Sequence, residues 1–252
     1  GDHRDLHRLI RRQRQMCIRD RYYKEQGKKF VAGVFGSLPW TDDFLFNGYC
    51  YVHYLPDSYE DIYTDEIMLR KFALPWLRKT HDWNLAVVYF LIMDVIGDKG
   101  CPSFVESDDP KSSKHSYIKF LDGLIGEIIE FLKKENLWEE TYLIITSDRE
   151  AHLGCSWLAK KGVRTNNWWG RHSKPWDCEV WDFKRNKSTG VYAGGPRRIT
   201  FILSGGALEE EHRGKYIEEA QIIDVAPTIA HLFGVPFKCQ GKSILEGYEI
   251  KA

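Results

Sequence analysis

The chain has 252 residues, 43% of them hydrophobic and 14% aromatic, which is ample apolar material for a buried core and argues against a disordered chain. Formal net charge is zero, but residues 1–29 carry ten Lys or Arg against four acids, leaving 26 bases against 32 acids elsewhere. That balance argues against a globally basic nucleic-acid binder, and no apolar run reaches the ~20 residues needed to span a bilayer.

The chain opens on a basic segment that includes Arg11-Arg12-Gln13-Arg14-Gln15-Met16-Cys17-Ile18-Arg19-Asp20-Arg21. It resembles the peptide produced when sequencing-adapter DNA is translated. Residues 1–21 are therefore set aside as a non-native basic leader, and 22–252 are read as one partial domain. The alternative is a basic helix that binds an acidic surface. Six cysteines lie far apart with no C-x-x-C pair, which argues against a zinc ribbon and leaves the compartment open.

In chain order, residues 30–63 are aromatic, Gly-rich and acidic, with short possible strands. Thr64 can cap a helix through about Arg78, which Pro75 would kink or end. The apolar run 85–93 reads as a strand ending at Asp94. Tyr117 to Lys134 carries an apolar stripe at helical spacing, including Phe120, Leu121, Leu124, Ile125, Ile128 and Leu132. The run 142–146 reads as a second strand, ending at Ser147-Asp148. Residues 153–198 are rich in Trp and charge, with little periodicity, as active-site loops often are. The run 199–203 reads as a third strand, ending at Ser204-Gly205-Gly206. A last helix starts at the N-cap candidate Asp224, tolerates Pro227 in its first turn and stops at Gly234.

Unbroken apolar runs suit central strands covered on both faces. Strand alternating with helix predicts an α/β fold with a mostly parallel sheet flanked by helices. In such sheets the functional crevice lies beyond the C-terminal strand ends, where Asp94 and Asp148 fall.

Asp94 and Asp98 can present two carboxylates to one cation across a turn that holds Gly97 and Gly100. An ordinary acidic turn explains the same spacing. Asp148 and His152 offer a carboxylate and an imidazole suited to Zn, Mn or Fe, and a loop salt bridge from Asp148 to Arg149 is the simpler alternative. His172, in an aromatic and basic loop, is either packed or the residue that closes the site. His231 reads as a core or boundary histidine, and His212 as part of a solvated acidic run. No G-x-S-x-G, P-loop or C-x-x-x-x-x-R motif supplies a nucleophile.

Five segments in order resemble the C-terminal half of the alkaline phosphatase superfamily, in its phosphodiesterase/nucleotide pyrophosphatase and sulfatase-like branches. Asp94-Val95-Ile96-Gly97-Asp98 is similar to the D-x-x-G-H turn of that superfamily. Tyr117 through Ile129, with Leu121-Asp122-Gly123-Leu124-Ile125-Gly126, resembles its Y…LD-x-x-IG helix. Leu137-Trp138-Glu139-Glu140-Thr141 followed by Ile144-Ile145-Thr146-Ser147-Asp148 resembles LW-x-x-T…TSDHG. Ile223-Asp224-Val225-Ala226-Pro227-Thr228-Ile229 resembles IDVAPTI, and Gly241-Lys242-Ser243-Ile244-Leu245 follows as in that family.

The resemblance implies an alkaline phosphatase-like fold, incomplete at the N-terminus. It implies a metal-dependent hydrolase of phosphate mono- or diesters, with two divalent cations (Zn, Mn or Mg) in the complete protein. Asp94, Asp98, Asp148, His152 and His172 would be metal ligands, and Arg149 and Lys187 would bind the substrate anion. A sulfatase-like sulfuric ester hydrolase and a non-catalytic binding relative are the alternatives. Asp98 and Arg149 stand where the family has His, and Arg cannot ligate a metal. With no nucleophile segment in view, the parent protein is expected to hydrolyse a small phosphate or sulfate ester and this chain alone is not.

Overall fold

A computed structural model describes residues 23, 25–36, 50–53, 63–93, 113–147, 179–182, 185–192, 199–217 and 220–246. The chain divides into two compact units, Gly1–Leu91 with Gly214–Ala252, and Ile92–Arg213. The leader expected at 1–21 lies outside the described residues.

In the first unit, β1 (Ala32–Gly36) is the middle of a three-stranded parallel sheet. It pairs with β2 (Cys50–His53) on one side and β3 (Leu85–Val88) on the other. All five β1 residues are buried, as expected of a strand with neighbours on both edges. The short strands suspected within 30–63 are thus β1 and β2. The apolar run Phe30–Phe35 is interrupted by Gly33, which hides it as a strand in the sequence. That glycine is what allows the packing. A Cβ there would sit 2.9 Å from the Trp76 ring, whose indole meets Phe35 edge-on with centroids 5.5 Å apart.

The helix expected from Thr64 is present in three pieces. α1 (Thr64–Ile67) continues through a π-helical run, Met68–Ala73, into α2 (Leu74–Lys79). Pro75 therefore does not end the helix. A proline ring clashes with the carbonyl four residues back. The wider π turn directly before it absorbs that conflict, with the Leu74 amide bonded to the Leu69 carbonyl five residues behind. Met68, Leu69, Ala73 and Leu77 are buried along one face. β3 is shorter than the expected 85–93, because the ladder to β1 is confined to its first residues.

α4 (Val225–Leu232) follows a 3-10 turn, Ile222–Asp224, and ends before Gly234, which adopts φ +63°. Asp224 holds the N-cap position, as expected, yet its side chain does not cap α4. Its carboxylate instead accepts from the amides of Gln221 at 2.7 Å and Lys242 at 2.9 Å. Phe233 at the end of α4 packs edge-on against Phe30, and Phe30 against Tyr23.

In the second unit, α3 (Ser113–Lys134) buries Tyr117, Leu124, Phe131 and Leu132. It stops at Asn136, in the left-handed region at φ 60°, with the Leu137 amide returning to the Leu132 carbonyl at 2.8 Å. β4 (Leu143–Thr146) and β7 (Phe201–Ser204) form the next two expected strands, but they pair antiparallel. An apolar run reads the same in either direction, so the mostly parallel sheet expected from strands alternating with helices does not extend to this pair. Nor is β7 fully covered, since Ile202 is 48% exposed. β5 (Glu179–Asp182) and β6 (Lys187–Tyr192) form an antiparallel hairpin inside the Trp-rich stretch. No helix among the described residues is long and apolar enough to cross a membrane.

Candidate functional site

Asp94, Asp98, Asp148, Arg149, His152 and His172 lie outside the described residues. The elements that lead to Asp94 and Asp148 are described, and each is anchored at its end.

On the approach to Asp94, alternate amides of β3 face β1. The Leu85 amide bonds to Val31 O at 3.2 Å and the Tyr89 amide to Phe35 O at 2.8 Å. The next amide in that alternation, Leu91, donates to Asp65 Oδ1 at 2.9 Å. A side-chain carboxylate from α1 thus takes the place of a strand carbonyl where the chain leaves the sheet. Asp65 is fully buried, and so are Leu91 at 3% and Ile92 at 0%. The other entry to this sheet is fixed in a similar way, with Asn84 Oδ1 accepting from the Val31 amide at 2.8 Å.

On the approach to Asp148, Ser147 is tied to Thr200 twice. Its amide donates to Thr200 O at 3.2 Å, and its hydroxyl accepts from the Thr200 amide at 2.9 Å. Antiparallel pairing sets Thr146 opposite Phe201 and Leu143 opposite Ser204. Ser204-Gly205-Gly206 therefore lies at the opposite end of this pair from Ser147, with the two ends of the ladder about 10 Å apart along the strand at ~3.4 Å per residue. The polar ends of β4 and β7, which look alike in sequence, do not share one edge.

The Ser204 end has a different role. Gly205, at φ +114°, sits so close to the 138–141 turn that a Cβ would lie 2.1 Å from the Thr141 carbonyl. Arg213 closes the loop that follows, donating to Leu208 O and Gly206 O at 3.0 Å each and pairing with Glu210 at 3.1 Å. A small cavity of about 200 Å³ is left between this loop, Trp138 and Glu139. Lys133 stands 5.9 Å from the centre of the Trp138 ring. The donors of Arg213 that face the loop are used internally, so the arrangement is a loop closure.

Lys187 opens β6 opposite Asp182, directly after Asn186 at φ 53°. It is exposed. His231 pairs with Glu246 at 3.2 Å and is 36% exposed on its side chain, which fits a boundary histidine. His212 lies 3.7 Å from Glu209. Glu209, Glu211 and His212 have donor atoms within 4.8 Å of one another, on the acidic run that the sequence reads as solvated surface.

Sequence reasoning missed the buried polar residues. Asp65 reads as an ordinary acid in a helix's first turn, and no local signal marks it as buried. The Asp224-to-Thr228 segment is visible as a motif, but its work is structural. Thr228 Oγ1 donates to Asp224 O at 2.6 Å and accepts from the Ile244 amide at 3.0 Å. A Cβ on Gly241 would come within 2.1 Å of the Ile223 carbonyl. Together these contacts clasp the segment 241–245 onto the start of α4.

The helices and the small parallel sheet are consistent with the α/β fold of the alkaline phosphatase superfamily. A family model described as Sulfatase matches residues 52–235. The chain belongs to the sulfatase family, within that superfamily, whose members are generally dependent on divalent metals. All seven candidate site residues fall inside the matched range. No curated protein and no solved structure matches the chain.

Proposed function

We propose that this protein is a divalent-metal-dependent sulfuric ester hydrolase acting on a small soluble ester. The observation that carries the reading is the sulfatase family match over residues 52–235. In this reading Asp94, Asp98, Asp148, His152 and His172 hold the cation. The set is rich in carboxylate oxygen, which suits Mn²⁺ or Mg²⁺ better than Zn²⁺. When bound, the cation supplies positive charge that offsets the charge developing on the ester oxygens. Arg149 cannot coordinate a metal and is always charged, so it and Lys187 serve as fixed partners for the substrate anion.

A phosphate mono- or diester is the second reading. The likeness of the Asp94-to-Asp98 turn and of the Leu137-to-Asp148 segment to the phosphodiesterase branch favours it. The protein expressed from its full reading frame should be assayed with Mn²⁺ on p-nitrocatechol sulfate and on bis-p-nitrophenyl phosphate. Turnover of the sulfate ester by at least tenfold over the phosphate ester supports the first reading, and the reverse order supports the second. Mn²⁺ binding without turnover of either ester identifies a binding module that retains the metal site.

A further inference from the structure

We propose that Asn186, at the tip of the β5–β6 hairpin, is an acceptor site for an N-linked glycan. The proposal stands apart from the metal and ester readings above and uses residues of the second unit alone. Three observations carry it. Asn186-Lys187-Ser188 has the acceptor pattern Asn-x-Ser/Thr, with no proline in the middle. Of the six asparagines in the chain, Asn186 alone is followed two residues later by Ser or Thr. Asn186 lies in the turn just before β6, at φ 53°, and it is exposed together with Arg185 and Lys187.

A three-residue pattern also arises by chance, so its position decides. The ladder of the hairpin ends with Lys187 opposite Asp182, and Ser188 sits opposite Trp181. Asn186 is thus the residue next to the ladder on its open side. Asparagine tolerates a left-handed φ better than most residues do, and that accounts for Asn186 on backbone grounds alone. Turn chemistry does not call for the Ser188 hydroxyl two residues on in β6, where a β-branched or aromatic side chain fits better. A glycan is large and hydrophilic and is carried where it stays in water. Exposed turns are also where added bulk is tolerated.

The donor is a lipid-linked oligosaccharyl diphosphate. Asn186 Nδ2 attacks C1 of its reducing sugar, and the C1–N bond forms as the C1–O bond to the diphosphate breaks. The lipid diphosphate leaves with the bonding pair, and one Nδ2 proton passes to a base on the transferase. Nothing is oxidised or reduced, and Lys187 and Ser188 are chemically unchanged.

The test routes the full 252-residue chain through the secretory pathway of cultured eukaryotic cells, behind a cleavable signal peptide. Release of N-glycans by peptide-N-glycosidase in heavy-oxygen water converts an occupied Asn186 to labelled Asp. The label should appear at position 186 in more than half of the chains, and Ser188→Ala should abolish it. Ser188→Thr keeps the hydroxyl and should keep the glycan. Asn186→Gly suits the same positive φ; it should lose the glycan and retain the far-UV circular dichroism of the parent. An unlabelled Asn186 in the parent chain, or an equal label in Ser188→Ala, would overturn the proposal. Thermal unfolding adds a readout of the folded state. The midpoints before and after glycan release should agree within about 2 °C, and a larger drop would refute a glycan held in water at an open turn.

Discussion

Two fully buried threonines show how one substitution takes opposite signs in different surroundings. Thr228 uses its hydroxyl twice, as donor to Asp224 O and as acceptor from the Ile244 amide. Thr228→Val leaves that buried amide without a partner and should lower stability by about 2–3 kcal/mol. Thr64 Oγ1 is buried with no hydrogen-bond partner. Thr64→Val keeps the β-branched shape, removes the desolvated hydroxyl and should raise stability by ~1 kcal/mol. Urea unfolding reads both, with an unchanged slope confirming that only the native state is affected. A Thr64→Val protein less stable than the parent would contradict the absence of a partner. Neither outcome is legible in the sequence, where both residues are threonines beside an acidic residue or a proline. Hydrogen-bond satisfaction depends on Ile244 and on other groups far along the chain.

Glycines within regular elements make the same point about elements. Gly33 in β1 and Gly123 in α3 both read as weak points in an otherwise apolar pattern. A Cβ on Gly33 meets the Trp76 ring, whereas a Cβ on Gly123 meets nothing within 4 Å. Gly33→Ala should therefore cost about 1–3 kcal/mol through overpacking. Gly123→Ala should gain ~1 kcal/mol through helix propensity and a less flexible unfolded chain. Thermal unfolding of the two variants checks both signs, and a destabilised Gly123→Ala would mean that this helix face is covered. The long helix was plain from its stripe, because Tyr117, Leu121, Leu124, Ile128 and Leu132 recur at a period that only a helix places on one side. β1 was not plain, because its glycine interrupts the very run that would have marked it. Its central position is imposed by β2 and β3, which are distant in sequence.

For the whole molecule, the proposed metal site predicts a linkage between ligand and stability. Mn²⁺ at a hundredfold its dissociation constant should stabilise the folded protein by ~2.7 kcal/mol. A differential-scanning calorimetry shift of that size should vanish in the Asp94→Ala, Asp148→Ala double variant. An equal shift in that variant would place the bound ion elsewhere, with the group of exposed Glu209 and Glu211 and half-buried His212 the first to examine. Kinship was legible in the sequence alone. The order of five motifs points to the superfamily, and the match over residues 52–235 places the chain in the sulfatase family. Local pattern also determined the helices from Thr64, through Lys134 and from Asp224, since capping and periodicity act over a few residues. Tertiary structure alone decided three things: which strand is central, that β4 and β7 run antiparallel, and that Asp65 holds the amide of Leu91. The reason is common to all three. Strand direction and the partner of a buried carboxylate are set by groups dozens of residues away, and a run of apolar side chains carries no record of them.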